Sequence, residues 1–431
     1  MELKTARGVQ DISPEQKIVK ETIIKKIKTI FERYGYSPFE TPIIERFDVL
    51  SSKYAGGAEI LKETFQLKDQ GGRELCLRYD LTVPFARFVG MNKNIKMPFK
   101  RYQIGEVFRD GPIKLGRMRE FWQCDADIVG SKSMKADAEL LLIAKDVFND
   151  LNIDVIIKLN NRKVLNSILN YANVDSEDQE TVIVTIDKLG KVGEEEVKKE
   201  LEEKKIEKNS VDVIMDLLEK NKNIESNEEK INFLRDNLSD EGLEGLKEVE
   251  EVLSYCEGNI YFDFSLARGL SYYTNTVFEA FISDGSFASS LAGGGRYNKM
   301  IGNFLESEDP EAYPAVGISF GLEPITVVMK NENNRKTVTQ VYVIPIGLDK
   351  EAFKVAQELR RQGLNVDIDL LGRGVSKNLQ FVDSYNIPFT VFVGKEELEK
   401  GKFKVKNMST GEEIFMPLDK IKSLINNNNN N

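Results

Sequence analysis

The 431-residue chain contains no histidine. That absence removes Ser-His-Asp triads, His-ligated zinc and any mechanism with an imidazole general base. Chemistry that rests on positioning and fixed charge survives the exclusion. Cysteine is scarce as well: Cys76, Cys124 and Cys256 show no metal-type spacing and no disulfide framework. A reduced, cytoplasmic setting is expected from that usage. Long apolar runs are also missing. No stretch reaches membrane-spanning length, and the opening MELKTARGVQ lacks the apolar segment of a signal peptide.

Charge, by contrast, is abundant. Sixty Lys and Arg face 70 Asp and Glu, for a net charge of −10. That sum does not advertise a nucleic-acid binder, although local basic patches decide the matter rather than the total. The length suits two or three domains with a large buried core.

The most informative stretch, residues 101–130, reads RYQIGEVFRDGPIKLGRMREFWQCDADIVG. Tyr102, Ile104, Glu106 and Phe108 alternate with Gln103, Gly105, Val107 and Arg109, the period of a strand. Gly111, Pro112 and Gly116 then predict a loop, after which residues 121–129 resume the alternation. Gln123, Asp125 and Asp127 share one face of that second strand. The product is a hairpin with acids on one strand, Arg109 on the other, and Arg117 and Arg119 in the loop. Fixed cations beside fixed carboxylates suit a ligand carrying both phosphate and ammonium, such as an amino acid being activated with ATP.

This segment resembles motif 2 of the class II aminoacyl-tRNA synthetases, in the form found in histidyl-tRNA synthetases. Residues 266–274, LARGLSYYT, and the glycine run AGGGRY at 292–297 resemble that family's further signatures. Residues 39–45, FETPIIE, resemble motif 1, and RGVQDISP at 7–14 fits the family's opening. The wording of 78–82 and 109–119 looks archaeal-type rather than bacterial. The blocks occur in the family's order and span most of the chain.

The resemblance implies an α+β class II catalytic core, an antiparallel sheet flanked by helices, with a helical insertion and a C-terminal α/β anticodon-binding domain. The pattern places the core at 1–160 and 256–330, the insertion at 161–255, a polar linker at 331–338 and the anticodon-binding domain at 339–425. The insertion is rich in Glu and Lys, as in GEEEVKKE at 193–200, which predicts solvated helices. The closing asparagines, 426–431, are low-complexity and are expected to be disordered.

By resemblance, Arg109 grips the α-phosphate and the amino acid carboxylate, Arg117 reaches the β- and γ-phosphates, and Arg268 stands beside the α-phosphate. Guanidinium fits these tasks because its planar fork pairs two oxygens and keeps its charge. Asp127 takes the imidazole, with Tyr272, Tyr273 and Tyr297 as its aromatic and hydroxyl surroundings. Asp80, Thr82 and Gln123 complete the histidine site around the α-ammonium. The implied ligands are histidine, ATP with Mg²⁺ and tRNA(His), with no metal held by His or Cys, and the implied assembly is a homodimer formed through motif 1.

Two positions depart from the family pattern. Gly111 stands where motif 2 commonly has a glutamate, and Pro324 follows Gly317–Glu323 where motif 3 ends in an arginine. Three functions therefore stay open: an active histidyl-tRNA synthetase, a catalytically weakened tRNA sensor, and a regulatory subunit of ATP phosphoribosyltransferase. The C-terminal domain argues against the third. Joint retention of Arg109, Arg268, Asp127 and Tyr273 argues against the second.

Overall fold

The computed structural model describes residues 2–51, 61–269, 272–329 and 336–428. It divides into two compact units, Met1–Gln10 with Thr22–Val328, and Asp11–Glu21 with Met329–Asn431.

The larger unit is built on an eight-stranded sheet and a three-stranded one. In chain order its strands are β1 (Ser37–Pro38), β2 (Ile44–Arg46), β3 (Gln66–Lys68), β4 (Glu74–Leu77), β5 (Phe99–Phe108) and β6 (Glu120–Val129). They continue with β7 (Val155–Asn161), β8 (Ile260–Phe262), β9 (Thr276–Ile282), β10 (Ala292–Arg296) and β11 (Ala315–Gly321). The large sheet runs β1-β5-β6-β11-β10-β9-β7-β8, and β2-β4-β3 form the small one. Its middle is antiparallel, as expected, while both edges are parallel pairs, β1 with β5 and β7 with β8.

The β5–β6 hairpin sets the register of everything near it. Arg109 N–H donates to the Arg119 carbonyl at 2.8 Å and closes the loop. Counting back equally from that closure brings Arg101 opposite Asp127, Gln103 opposite Asp125 and Gly105 opposite Gln123. Helix Met134–Asp150 covers the sheet with a buried apolar face, and Ser133 caps it by accepting from Lys135 N–H at 3.3 Å. A fully buried strut fastens that helix to β10. Arg296 pairs with Asp137 and also donates to the carbonyls of Ser131, at 2.7 Å, and Ser133, at 3.0 Å. Every arm of that guanidinium is satisfied, the condition under which a buried ion pair is tolerated.

Between Arg162 and Ser254 the described elements are all helices, seven of them. They are less purely solvated than the charge pattern suggests. Leu165, Val182, Val197, Leu201, Val211 and Ile214 pack into a common core, while Glu–Lys pairs range from exposed, as Lys199–Glu203, to largely buried, as Lys163–Glu248.

The smaller unit carries β12 (Val341–Pro345), β13 (Val366–Ile368), β14 (Phe389–Val393), β15 (Phe403–Asn407) and β16 (Glu413–Met416), in the order β13-β12-β14-β15-β16. Alternation along β12 feeds two cores: Val341 and Val343 pack on one face, Tyr342 and Ile344 on the other. This is the expected α/β domain, enlarged by β15 and β16, which pair antiparallel. One expectation fails in part. Helix Leu418–Asn428 includes the first three of the closing asparagines, because Ile421 and Ile425 bury its inner face. Residues 429–431, 331–335 of the linker, and Leu270 and Ser271 of the second signature lie outside the described residues.

Candidate active site

A cavity of about 660 Å³ opens on the face of the large sheet. All ten residues singled out from the sequence line it: Asp80, Thr82, Arg109, Arg117, Gln123, Asp127, Arg268, Tyr272, Tyr273 and Tyr297. They come from segments far apart in the chain and meet because β6, β11, β10 and β9 lie side by side.

On the acidic side, Asp127 is the hub. Tyr297 donates its hydroxyl to Asp127 Oδ1 at 2.6 Å, and Arg101 Nη2 lies 2.8 Å from Oδ2. Burial pushes the Asp127 carboxyl above its ordinary pKa, and Arg101 opposes the rise. Asp80 accepts from the N–H groups of Thr82, at 3.1 Å, and Val83, at 2.9 Å, the first two residues of helix Thr82–Met91. Burial raises its pKa too. Gln123 donates to Ser319 Oγ at 2.9 Å, while its Oε1 has no partner among the described residues. Tyr272 and Tyr273 contact each other with ring centres 4.7 Å apart and form the aromatic wall, with Tyr297 6.2 Å from Tyr272.

On the cationic side, Arg109 Nε donates to the Tyr79 carbonyl at 3.2 Å. Its guanidinium lies over the rings of Tyr79 and Phe121, at 4.2 and 5.0 Å from their centres. Arg268 is bound to Glu279 at 2.5 Å, an ion pair that Ser290 shares by donating to the same oxygen at 3.1 Å. Arg117, half exposed, reaches both oxygens of Glu63 at 3.0 and 3.1 Å. Among the described residues no group of three or more Cys, Asp or Glu side chains is arranged to hold a metal ion.

Glycine makes the site possible at two points. A Cβ at Gly293 would stand 2.1 Å from Arg268 Nη1, and one at Gly317 would stand 2.0 Å from Asp127 Oδ1. The glycine run is therefore neither a turn nor a bulge. It is strand β10, hydrogen-bonded on both sides, whose bare backbone leaves room for a neighbour's charged group.

Residues 8–325 match the family described as histidyl-tRNA synthetase, and 340–428 match an anticodon binding domain. A histidine--tRNA ligase of Bacillus cereus is 41% identical over 428 residues, covering 99% of this chain and all of the relative. A second histidine--tRNA ligase, from Shouchella clausii, is 42% identical over 422 residues, 96% of this chain and 98% of its own. The chain belongs to the histidyl-tRNA synthetase family. The crystal structure of histidyl-tRNA synthetase from Nostoc sp. PCC 7120 superposes with a TM-score of 0.85 at 30% identity, covering 99% of this chain and 100% of that one.

Within that synthetase family the two departures take on a physical form. A Cβ at Gly111 would stand 2.6 Å from Glu63 Oε1, so a carboxylate does occupy that side of the loop, delivered from elsewhere in the chain. Glu63 is thus a site residue that motif reading misses. Pro324 lines the cavity beside Gly116 and Gly321, where it offers only an apolar edge. Arg101 and Glu279 are further omissions, and Asp125 enters the sequence reading only as an acid on the shared face of β6. Arg101 and Asp127 were both visible, but their pairing follows only once the hairpin register is counted.

Proposed function

We propose that this synthetase-family chain is an active histidine--tRNA ligase. Histidine enters with its α-ammonium toward Asp80, Thr82 and Gln123, and its ring toward Asp127, Tyr272, Tyr273 and Tyr297. ATP enters with Mg²⁺ as its counter-ion. One carboxylate oxygen of histidine attacks the α-phosphorus, the bond to the bridging oxygen breaks, and pyrophosphate leaves. Arg109 and Arg268 stand where negative charge builds on the α-phosphate, and fixed cations stabilise that charge without reorganising. Arg117 holds the departing β- and γ-phosphates. The 3′-terminal ribose hydroxyl of tRNA(His) then takes the histidyl group and releases AMP.

The observation that carries this reading is the convergence of three arginines and the acidic, tyrosine-lined wall on one cavity. The match of 340–428 to an anticodon binding domain favours a ligase over a phosphoribosyltransferase regulatory subunit. Retention of both Arg109 and Arg268 favours an enzyme over a sensor, which has no need of two phosphate-binding cations. The core, helical segment and C-terminal domain are read at 1–160 with 256–330, 161–255 and 339–425. We place the protein in the cytoplasm as a homodimer joined through residues 39–45. Arg268→Ala is expected to lower histidine-dependent ATP–pyrophosphate exchange about 10³-fold, a loss typical of removing one preorganised group. Near wild-type exchange by a folded Arg268→Ala protein would overturn the assignment.

A further inference from the structure

Arg268 sits on the connection between β8 and β9, which has neither helix nor strand among its described residues. A cation that stabilises charge developing on an α-phosphate acts through being fixed beforehand, and loops place side chains less precisely than strands do. The precision has to come from the side chains around it. Glu279 of β9, Asp187 just after helix Gln179–Ile186, and Tyr272 and Tyr273 face the guanidinium. Of these, Glu279 alone belongs to a strand.

Glu279 lies in the middle of β9, opposite Lys158 of β7 on one side and Gly293 of β10 on the other. Its Oε1 takes Arg268 Nη1 at 2.5 Å and the Ser290 hydroxyl at 3.1 Å. The backbone leaves a slot for that contact. A Cβ at Gly293 would stand 2.1 Å from Arg268 Nη1 and 3.3 Å from Glu279 Cγ, so the two side chains meet across bare glycine. Arg268, Glu279 and Ser290 all line the cavity, so the pair stands in the wall that a ligand meets. A guanidinium carries more N–H donors than one carboxylate oxygen can take, which leaves others for phosphate.

We propose that Glu279 is the positioning residue of the adenylation site: seated on β9 and steadied by Ser290, it holds Arg268 where charge develops on the α-phosphate. The proposal rests on the ligase reading above and deepens it by assigning what fixes its loop-borne arginine. Because the group held in place acts on the transition state, loss of Glu279 falls on kcat rather than on substrate binding.

The test is histidine-dependent ATP–pyrophosphate exchange, with kcat and both KM values, in wild type, Glu279→Ala, Glu279→Gln, Arg268→Ala and the double variant Arg268→Ala/Glu279→Ala. Glu279→Ala is expected to lower kcat about 30-fold or more, with each KM within about threefold of wild type. Glu279→Gln keeps an acceptor oxygen for Arg268 and Ser290, and its kcat is expected within about fivefold of wild type. The double variant is expected within about twofold of Arg268→Ala, since a positioning residue loses its effect once the group it holds is gone. Losses that multiply in the double variant overturn the proposal, as does wild-type kcat in Glu279→Ala. A lower ATP KM in Glu279→Ala overturns it too, because Glu279 would then compete with phosphate for the arginine. Where Glu279→Ala does not fold, Ser290→Ala decides: a kcat about threefold lower is expected, and wild-type kcat overturns the proposal. Absence of any histidine-dependent exchange in wild type instead overturns the ligase reading, and this inference with it.

Discussion

At the scale of single residues, two carboxylates carry consequences beyond binding. The folded-state pKa of Asp125 lies above its unfolded value of ~3.9, so its contribution favours the folded state at low pH and is lost as pH rises through about 7. Wild type should therefore lose stability on the order of 4 kcal/mol between pH 4 and 8 through this group, whereas Asp125→Asn should not. Urea midpoints across that range measure the difference, and parallel profiles would contradict it. Glu63 poses a different question. It occupies Arg117, the cation assigned to the outer phosphates of ATP, so nucleotide must displace it. The pair is half exposed and therefore worth little, about 1 kcal/mol at most. Glu63→Gln should lower KM for ATP by about fivefold or less. A raised KM would show that Glu63 helps to hold the nucleotide rather than competing with it.

At the scale of elements, the site is a property of strands laid edge to edge. The β5–β6 hairpin was legible because its alternation and its breaker-rich loop are local signals. Strand β10 was not, since Ala-Gly-Gly-Gly-Arg has no side-chain pattern to read and its burial comes from β9, β11 and the helix its Arg296 is fastened to. Strand β7 was missed because a short apolar run between helices carries no period that distinguishes it. Glu63 escaped notice for another reason: its partner, Arg117, is remote in sequence, and no local rule links them. The ten site residues came from motif resemblance, while their convergence needed the sheet order. Gly317 tests that dependence. Gly317→Ala places a methyl against the Asp127 carboxylate and should raise KM for histidine tenfold or more, a cost of about 1.4 kcal/mol, with little change for ATP. Equal losses for both substrates would mean that the sheet itself had shifted.

At the scale of the whole molecule, an enzyme assigned to histidine contains none. Its chemistry must then run on arginine, carboxylate and tyrosine. The three cavity arginines keep their charge at any physiological pH, so the charged wall for phosphate is permanent. In the proposed reaction, selectivity falls to the opposite wall, where buried acids and tyrosines face the ring. Pro324 stands in the cavity where motif 3 commonly ends in an arginine, so in the proposed reaction adenine is left to Pro324 and the aromatic and guanidinium surfaces around Arg109. Whether that suffices for adenylation is the central claim. Histidine-dependent ATP–pyrophosphate exchange on the purified chain, with the other amino acids as controls, tests it most directly. Exchange with histidine alone is the expected result. A folded, tRNA-binding protein that exchanges with no amino acid, or with a different one, would contradict it.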